Sequence, residues 1–419
     1  MNRKHKTILM VTDGLYPYLN ANSEIVYRIA NILQRDYLCD INILGVAKDL
    51  DKAIPNNSMF KTLYIITMAT LNKILKEDSS KLIRILRMIS HPKCLRYMIF
   101  QKYDYDNAER REYRNAIQHA IKKVKPDCII VFFAPRNALR AMADIKTKIP
   151  FISYKLDPWR GNYYLRGREK ANEEERKADM AAAAIITTDL IRKEYERETT
   201  QQILDKIHEL KFPNIVNYEN GLMTLEDTST INCVFAGALY KNIRNPVFTI
   251  KLFEKLRGEK CQLHIYGKSY VESGIPQCLP ENVYNHGFVP SDEALAYMQS
   301  ADVLVNIGNT VLNQMPSKLL TYISLGKPIL NIIKDPNCPT IPYLEKYPLA
   351  LTILETEVPT EEDIKIVREF ILESKGQHIP FEEIRQMYYD CTPEYVGGKV
   401  YEIICKVIEE SKSGKHKNR

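Results

Sequence analysis

Short apolar runs, nearly continuous and bounded by polar or turn-forming residues, recur through the first half of the chain. They predict strands at 7–12, 40–46, 128–133, 150–154 and 184–187. Strands that are apolar on both faces are typical of a parallel sheet covered by helices. Helices are predicted at 136–146 and 169–182, and Ser23 is predicted to cap an earlier helix. The apolar face of that earlier helix holds Ile25, Ile29, Ile32 and Leu33. This alternation predicts a doubly wound α/β domain.

The second half of the chain repeats the alternation. Strands are predicted at 232–236, 262–266, 283–286, 302–307 and 328–333, and helices at 246–256, 291–299 and 317–325. We therefore predict an α/β protein with two Rossmann-like doubly wound domains facing a central cleft. The first domain is predicted at 1–215, with a basic helical insertion near 70–125, and the second at 216–392. Residues 393–419 are predicted to form a helix that packs back toward the first domain, followed by a basic tail.

The composition is that of an ordinary globular protein, since 45% of the 419 residues are apolar and 26% are charged. This balance excludes a disordered chain. No apolar run approaches the roughly 20 residues that span a bilayer, and the apolar stretch at 8–11 is too short for a signal peptide. The nine cysteines include no C-x-x-C pair, so no zinc site or disulfide framework is indicated. We expect a reduced, cytoplasmic protein.

Several catalytic motifs are absent from the sequence. No G-x-G-x-x-G follows the first predicted strand, so no dinucleotide cofactor is indicated. Residues 266–269 resemble the end of a phosphate-binding loop, but Gln262 stands where that motif requires glycine. H-E-x-x-H and G-x-S-x-G are also absent. P-loop NTPases, zinc hydrolases and serine hydrolases are therefore disfavoured, and no cofactor or metal is predicted.

The most informative segment is 313–330, which follows the predicted strand 302–307. Pro316 and Ser317 begin a predicted helix whose free N–H groups and dipole would suit a phosphate. Lys318 would add a positive charge in the first turn. An ordinary capped helix with a solvated lysine shows the same features, and the segment taken alone favours that interpretation.

Together with its neighbours, this segment resembles the C-terminal domain of nucleotide-sugar-dependent glycosyltransferases of the GT-B fold, especially the retaining family 4 (glycosyl transferases group 1). The family helix P-S-K-L-F-E-Y-x-x-x-G-K-P-I is matched by P-S-K-L-L-T-Y at 316–322 and G-K-P-I at 326–329. Further landmarks of the family follow in the expected order at 232–244, 265–267, 286–290 and 300–303. The N-terminal half matches in architecture, but weakly in motif.

The resemblance implies a donor site for a nucleotide sugar in the second domain. The residues at the corresponding positions are Gly237, Lys241, Arg244, Tyr266, Gly267, Asn313, Pro316, Ser317, Lys318 and Thr321. Lys241 and Arg244 fall where the family places its diphosphate-binding cations, although a solvated pair in a loop is the alternative. Fixed cations would stabilise the negative charge that develops on the leaving diphosphate. Tyr266 and Gly267 would line the floor of the cleft or merely pack.

Two of these positions depart from the family pattern. The family's glutamate pair, spaced E-x(7)-E, falls on Asn313 and Thr321. Thr321 can hydrogen-bond a ribose hydroxyl but supplies no carboxylate, and Asn313 offers polarity without charge. A non-catalytic nucleotide-sugar-binding protein is therefore one alternative. A nucleotide-sugar epimerase is another, but it needs acid–base residues around the sugar, so Asn313 counts against it.

On the acceptor side, Asp157 follows the predicted strand 150–154 and is the candidate catalytic carboxylate, which would take a proton or orient the acceptor hydroxyl. A cap on the following turn is an equally good interpretation. Asp13 and Tyr16, after the first strand, are further acceptor-side candidates. Trp159, the only tryptophan, would stack on a sugar ring or simply cover the domain.

The formal charge of +7 comes from one segment. Residues 61–126 hold 15 Lys and Arg against 6 Asp and Glu, a local +9, so the remainder of the chain sums to −2. Within this segment, 81–102 carries six basic and no acidic side chains. A basic amphipathic helix suits an anionic membrane surface, although a helix packed on the sheet with solvated charges has the same pattern. No nucleic-acid-binding motif is recognised.

These observations predict a glycosyltransferase that moves a sugar from a nucleotide-sugar donor to a glycan or lipid-linked acceptor. The resemblance implies a setting in surface polysaccharide biosynthesis. The protein is expected in the cytoplasm, and if the basic segment binds a membrane, the protein would lie peripherally on its cytoplasmic face.

Overall fold

The computed structural model describes residues 5–15, 21–46, 60–65, 105–133, 136–159, 168–218, 229–241, 243–269, 275–276, 278–316 and 318–414. The chain divides into two compact units. Unit 1 comprises Met1–Pro213 and Pro393–Arg419, and unit 2 comprises Asn214–Thr392. Unit 2 begins two residues before the predicted start at 216, and the C-terminal segment is part of unit 1.

Unit 1 is built on a seven-stranded sheet in the order β3-β2-β1-β4-β5-β6-β7, in which every neighbouring pair is parallel. Its strands are β1 (Thr7–Val11), β2 (Asp40–Val46), β3 (Lys61–Ile65), β4 (Cys128–Phe132), β5 (Phe151–Lys155), β6 (Ala184–Thr187) and β7 (Ile207–Glu209). Within the described residues, its helices up to β7 are α1 (Ala21–Tyr37), α2 (Tyr105–Val124), α3 (Arg136–Ala143), α4 (Arg168–Ala181), α5 (Asp189–Glu198) and α6 (Gln201–Leu204).

Unit 2 is built on a six-stranded parallel sheet in the order β10-β9-β8-β11-β12-β13. Its strands are β8 (Ile231–Ala236), β9 (Cys261–Tyr266), β10 (Val283–Gly287), β11 (Val303–Ile307), β12 (Ile329–Ile333) and β13 (Ala350–Leu354). Its helices are α7 (Val247–Lys255), α8 (Ser291–Ser300), α9 (Lys318–Ser324), α10 (Ile341–Leu344), α11 (Glu361–Ser374) and α12 (Phe381–Met387), and a short 3₁₀ turn follows at Tyr389–Cys391.

The apolar runs of the sequence form the central strands of both sheets. All five residues of β4 and all six of β8 are buried. Burial on both faces is the arrangement that a covered parallel sheet produces. Every strand predicted from the sequence is present, and each end lies within one residue of the prediction. The α/β fold class is therefore confirmed.

The prediction for Ser23 is wrong. Helix α1 begins at Ala21, so Ser23 lies inside its first turn, where it is fully buried. The predicted apolar face is correct, since its four members are all at most 3% exposed: Ile25, Ile29, Ile32 and Leu33. Helix α3 is shorter than predicted because Asp144 and Ile145 donate to carbonyls three residues back, which tightens the chain into a turn after Ala143.

The final helix, α13 (Pro393–Lys412), packs against α1 within unit 1. The rings of Tyr37 and Tyr401 stack with their centroids 4.1 Å apart. The Tyr401 hydroxyl also accepts a hydrogen bond from Lys6 Nζ at 3.0 Å. In the described part of the chain, no helix combines the length and the apolar character needed to cross a membrane.

Candidate functional site

The strand order of unit 2 places a switch point between β8 and β11. From β8 the chain continues through α7 to β9 on one side, and from β11 it continues through α9 to β12 on the other. The two strands pair over only two positions, Cys233 with Val303 and Val234 with Leu304. In open α/β sheets, ligands bind beyond the carboxyl ends of the strands at such a point. The loops that follow β8 and β11 are therefore the candidate donor site.

Two glycines allow the loops after β8 and β9 to touch. The Gly237 N–H donates to the Tyr266 carbonyl oxygen at 2.8 Å. A Cβ at Gly267 would lie 2.0 Å from the Gly237 carbonyl oxygen, and the Gly267 φ angle is +140°. Only glycine is compatible with that backbone and that approach. The Tyr266 side chain is 2% exposed and stacks on Tyr297 at 4.1 Å, so it packs within the unit.

Arg244 is fixed over the end of β8 by a tight turn. Its N–H donates to the Tyr240 carbonyl oxygen at 2.9 Å, and the Tyr240 N–H donates back at 3.1 Å. The Arg244 Nε donates to Asn309 Oδ1 at 3.0 Å, which ties the guanidinium to the loop after β11. A Cβ added to Gly237 would lie 3.2 Å from Arg244 Nη1. The side chain therefore lies where the two loops of the switch point meet.

The Arg244 guanidinium is partly buried without a matching negative charge. Among the described residues, no Asp or Glu carboxylate lies within ion-pair distance of it. Burial lowers the pKa of this guanidinium, while Tyr322 and Tyr240 partly offset the effect. Arginine nevertheless remains charged at neutral pH. A desolvated cation that has no carboxylate beside it is stabilised when an anion binds.

Two lysines lie in the loops around Arg244. Lys241 is exposed within the same turn. Lys268, directly after Gly267, is also exposed, and its carbonyl oxygen accepts from the Leu239 N–H at 3.0 Å, so its backbone runs alongside the loop after β8. Sequence analysis named Tyr266 and Gly267 as donor-side candidates, but it considered Lys268 only as part of an incomplete phosphate-loop motif. Its position after a glycine at a strand end was the available signal.

Helix α9 carries the remaining donor-side candidates that the structure describes. It begins at Lys318, directly after the position of Ser317, and Pro316 before it is buried. The helix is held against the end of β8, since the Tyr322 hydroxyl accepts from the Ala236 N–H at 2.9 Å. On its surface, Thr321 Oγ1 lies 3.5 Å from the Tyr218 hydroxyl. Asn313 is partly buried in the loop before the helix.

Asn309 is a site residue that sequence reasoning missed. It is 6% exposed, and its amide oxygen holds Arg244. Nothing in its local sequence distinguishes it from other polar residues after a strand. The contact joins residues 65 positions apart in the chain, so only the fold reveals it.

A pair of histidines packs beside Tyr266, with His264 on the same strand, β9, and His286 on the neighbouring strand, β10. His264 Nδ1 lies 3.0 Å from His286 Nε2, and His264 Nε2 lies 3.2 Å from Asn232 Oδ1. The His286 ring stacks on Tyr266 at 4.4 Å. Burial and the neighbouring His286 lower the pKa of His264 to about 4, and burial also lowers the pKa of His286. The pair is therefore neutral at physiological pH and packs as part of an aromatic stack.

Unit 1 has its own switch point, between β1 and β4. Asp13, partly buried, follows β1, and Asp157 follows β5, one strand beyond β4. Asn22 in the first turn of α1 donates from Nδ2 to Asp157 Oδ2 at 3.3 Å. The structure thus connects Asp157 to the helix that follows β1, at the carboxyl ends of the strands.

Trp159 is 1% exposed, and its ring packs against Phe133 with centroids 5.4 Å apart. Of the two interpretations of Trp159, this burial fits the one in which the side chain covers the domain. It opposes the acceptor-side role, because no ring face is exposed for a sugar to stack on. Tyr16, Ser317 and the basic segment 81–102 lie outside the described residues. Among the residues that are described, no group of three or more His, Cys, Asp or Glu is arranged to hold a metal ion.

A family model and solved structures resemble this chain, whereas no curated protein sequence matches it. The model described as glycosyl transferases group 1 matches residues 230–333, which include β8 to β12 and the donor-side candidates. This match agrees with the resemblance found from the motifs.

Solved structures, a glycosyltransferase among them, share the fold over nearly the whole chain. The lipopolysaccharide outer core galactosyltransferase WaaB, apo form, is 12% identical with a TM-score of 0.53, covering 98% of this chain and 99% of that one. A sucrose-phosphate synthase from Thermosynechococcus elongatus is 10% identical with a TM-score of 0.63, covering 97% and 100%. A putative UDP-N-acetylglucosamine 2-epimerase from Listeria monocytogenes is 11% identical with a TM-score of 0.57, covering 97% and 98%.

At these identities the solved structures establish the fold, and the family match adds the enzyme class. The matched segment lies in unit 2, around the switch point that holds Arg244. The chain is a glycosyltransferase with the GT-B fold, and its residues 230–333 match the model of the glycosyl transferases group 1.

Proposed function

We propose that the protein transfers a sugar from a nucleoside diphosphate sugar to a hydroxyl of a glycan or lipid-linked acceptor, in the assembly of a surface polysaccharide. The observation that carries the proposal is Arg244, a partly buried guanidinium at the switch point with no carboxylate beside it among the described residues. A diphosphate is a ligand of matching charge and shape, because a guanidinium binds phosphate oxygens in a fork.

In this proposal, the bond between the anomeric carbon and the diphosphate oxygen breaks, and the leaving diphosphate gains negative charge. Arg244 stabilises that charge from a position fixed before the reaction, which is how preorganised donors lower a barrier. Lys241 and Lys268 add exposed positive charge from the neighbouring loops. The nucleotide sugar is a substrate, and we propose no cofactor or metal.

On the acceptor side, Asp157 would orient the attacking hydroxyl or take its proton. Its carboxylate is partly exposed and is held by Asn22. Asp13, at the end of β1, is the second candidate on this side. We propose no nucleophilic residue, since the resemblance requires none.

The first test compares Arg244→Ala with Arg257→Ala, an exposed arginine in the turn after α7. A thermal-shift screen of nucleoside diphosphates and nucleotide sugars first identifies the donor, since a ligand at 100 times its Kd stabilises the folded state by about 2.7 kcal/mol. Arg244→Ala should lose that shift and reduce donor turnover about a hundredfold or more. Arg257→Ala should behave as the wild type. Wild-type binding and turnover in Arg244→Ala would refute the site.

Asn313 and Thr321, which stand in place of the family glutamates, favour a non-catalytic binding protein as the second candidate. The same assay separates the candidates. Donor binding with no transfer to any acceptor in a panel of glycans and lipid-linked sugars would support the binding protein. Conversion of the donor sugar in the absence of an acceptor would instead indicate an epimerase.

We also propose that segment 81–102 holds the protein on an anionic membrane, where a lipid-linked acceptor would be found. Its six basic side chains contribute ~1 kcal/mol each near such a surface. Replacing Arg84, Arg87 and Arg96 by Glu should abolish flotation with vesicles that contain phosphatidylglycerol. The control replaces three exposed lysines of unit 2 by Glu, at Lys255, Lys365 and Lys375. Equal loss in both variants would show a general charge effect and refute a role for this segment.

A further inference from the structure

Unit 1 contains a buried cluster of charges that the proposed reaction does not use. We call Lys155, Glu175, Asp179 and Tyr195 the Lys155 cluster. Lys155 is the last residue of β5 and is 0% exposed. Its Nζ donates to Glu175 Oε1 at 3.0 Å, to Asp179 Oδ1 at 2.6 Å and to the Tyr195 hydroxyl. The two carboxylates lie one turn apart on α4, and the tyrosine lies on α5.

The four side chains can all be joined by hydrogen bonds when one of the two carboxyl groups is protonated. The Tyr195 hydroxyl lies 2.6 Å from Asp179 Oδ2 and 3.0 Å from Glu175 Oε1, but its single proton can serve only one of them. With a proton on Asp179, that carboxyl donates to Tyr195, and Tyr195 donates to Glu175. Burial raises the pKa of Asp179, Lys155 opposes this shift and Glu175 adds to it. In that protonation state the charges of these four side chains sum to zero and hydrogen bonds join all four, an arrangement that favours a rigid network.

The network holds the start of the segment that carries Asp157. Leu156 is 6% exposed and Trp159 is 1% exposed, and Pro158 between them is buried as well. The Lys155 ammonium lies 5.4 Å from the centroid of the Trp159 ring, a cation–π contact that joins the two ends of the segment. Asp157 is the one residue of 155–159 that is partly exposed. The segment is thus anchored at both ends, with a single carboxylate presented between them.

Fold stability alone does not account for such a cluster. Replacing a buried ion pair by apolar residues of similar volume is often neutral or stabilising. The neighbouring strands β4 and β6 are formed entirely by buried residues of small or apolar type, apart from the threonine that ends β6. The charged cluster stands at the end of the strand that leads directly to Asp157.

We propose that Lys155 is a positioning residue, which acts through the Lys155 cluster and Trp159 to fix the carboxylate of Asp157 toward the acceptor. The proposal rests on the proposed function, in which Asp157 orients or deprotonates the acceptor hydroxyl. A misplacement of about 1 Å can reduce turnover by roughly a hundredfold. Residues that hold a catalytic carboxylate of a short loop in place therefore affect kcat directly.

The test variant removes the ammonium group and both carboxyl groups of the cluster at once, by combining Lys155→Met, Glu175→Gln and Asp179→Asn. Among the four residues of the Lys155 cluster it leaves no uncompensated charge, so it should fold. We expect acrylamide to quench Trp159 more strongly, kcat to fall about tenfold or more, and the KM for the donor to stay unchanged. The control is Lys177→Met on the same helix, since Lys177 is 59% exposed and its ion pair with Asp144 lies outside the Lys155 cluster. It should leave all three quantities unchanged.

A double-mutant cycle with Asp157→Asn distinguishes positioning from general support of the fold. If Lys155 acts through Asp157, the cluster variant should cause little further loss of kcat once Asp157 is replaced. Independent, additive losses would overturn the proposal, as would wild-type kcat in the cluster variant. Tyr195→Phe serves as a second variant if the triple replacement does not fold, because it removes one hydroxyl from the network and no charge. It should shift kcat in the same direction by a smaller factor.

A failure of the proposed function can be distinguished from a failure of the positioning role. If the wild type transfers no sugar to any acceptor, the function fails, and the positioning claim is judged by structure alone. Hydrogen exchange of the amides of Leu156, Asp157 and Trp159 and quenching of Trp159 should then both increase in the cluster variant and not in Lys177→Met. Unchanged exchange and quenching would refute the positioning claim, whatever the protein transfers.

Discussion

At the scale of single residues, the floor of the donor site depends on glycine at position 267. A Cβ there would lie 2.0 Å from a backbone oxygen, and the φ angle of +140° is one that other residues rarely adopt. Gly267→Ala should therefore lower the free energy of unfolding of unit 2 by about 2–4 kcal/mol. The only tryptophan, Trp159, lies in unit 1, so its fluorescence does not report on unit 2. The unfolding free energy is therefore measured by far-UV circular dichroism in urea.

Gly258→Ala is the matched control for this prediction. An added Cβ at Gly258 meets no atom within 4 Å, and its φ is ordinary. The change in unfolding free energy should therefore stay within about 0.5 kcal/mol. Equal effects of the two substitutions would mean that the loops after β8 and β9 do not approach as the structure has them.

The residues of the site differ in how far the sequence could identify them. Arg244 was predicted because a family motif marks its position. Asn309, which holds it, carries no local signal, since the contact forms only when β8 and β11 lie side by side. Lys155 was missed for a related reason: a lysine at a strand end predicts exposure, and its partners stand 20, 24 and 40 positions later. Side chains that are defined by distant partners are visible only in the fold.

At the scale of elements, burial on both faces made the central strands predictable. The strands that the sequence did not indicate are β3, β7 and β13, which stand at the edges of their sheets. The burial of β13 shows why, since four of its five residues are at least partly exposed and its apolar residues form no continuous run. An edge strand has one neighbour and less cover, so its sequence need not be uniformly apolar.

Helix α13 shows a second limit of local patterns. It contains Gly397 and Gly398 in its interior, although an interior glycine costs a helix roughly 1 kcal/mol relative to alanine. A Cβ at Gly397 would lie 2.5 Å from Ile32 Cγ2, and one at Gly398 would lie 2.9 Å from the Tyr37 hydroxyl. The glycines therefore allow α13 to approach α1 closely. Tertiary packing outweighs helix propensity here, and the sequence alone does not show the partner.

At the scale of the whole molecule, the chain leaves unit 1 once and returns to it. Unit 2 is a single stretch, Asn214–Thr392, whereas unit 1 needs the distant segment Pro393–Arg419. The two ends of unit 2 lie side by side, since the Ile215 N–H donates to the Cys391 carbonyl oxygen at 3.0 Å. The ends of the two parts of unit 1 therefore also come close together, at 213 and 393.

This topology predicts different behaviour for the two halves when they are produced separately. A fragment of residues 214–392 should unfold cooperatively in urea, because its sheet and core come from one stretch. A fragment of residues 1–213 should be much less stable, because the face of α1 that meets α13 would be exposed to water. Trp159 fluorescence reports on unit 1, and far-UV circular dichroism reports on the 214–392 fragment.

A direct join of residue 213 to residue 393 supplies the control. Because these positions come close together, a chain of 1–213 followed by 393–414 should recover the urea midpoint of unit 1 that Trp159 reports in the full protein. Failure of the join to stabilise the fragment would mean that α13 does not complete unit 1. If 1–213 alone already shows the full midpoint, α13 is dispensable. The joined chain contains every described element of unit 1 and none of unit 2. Its urea midpoint therefore tests whether unit 1 is completed by α13 alone, without any contribution from unit 2.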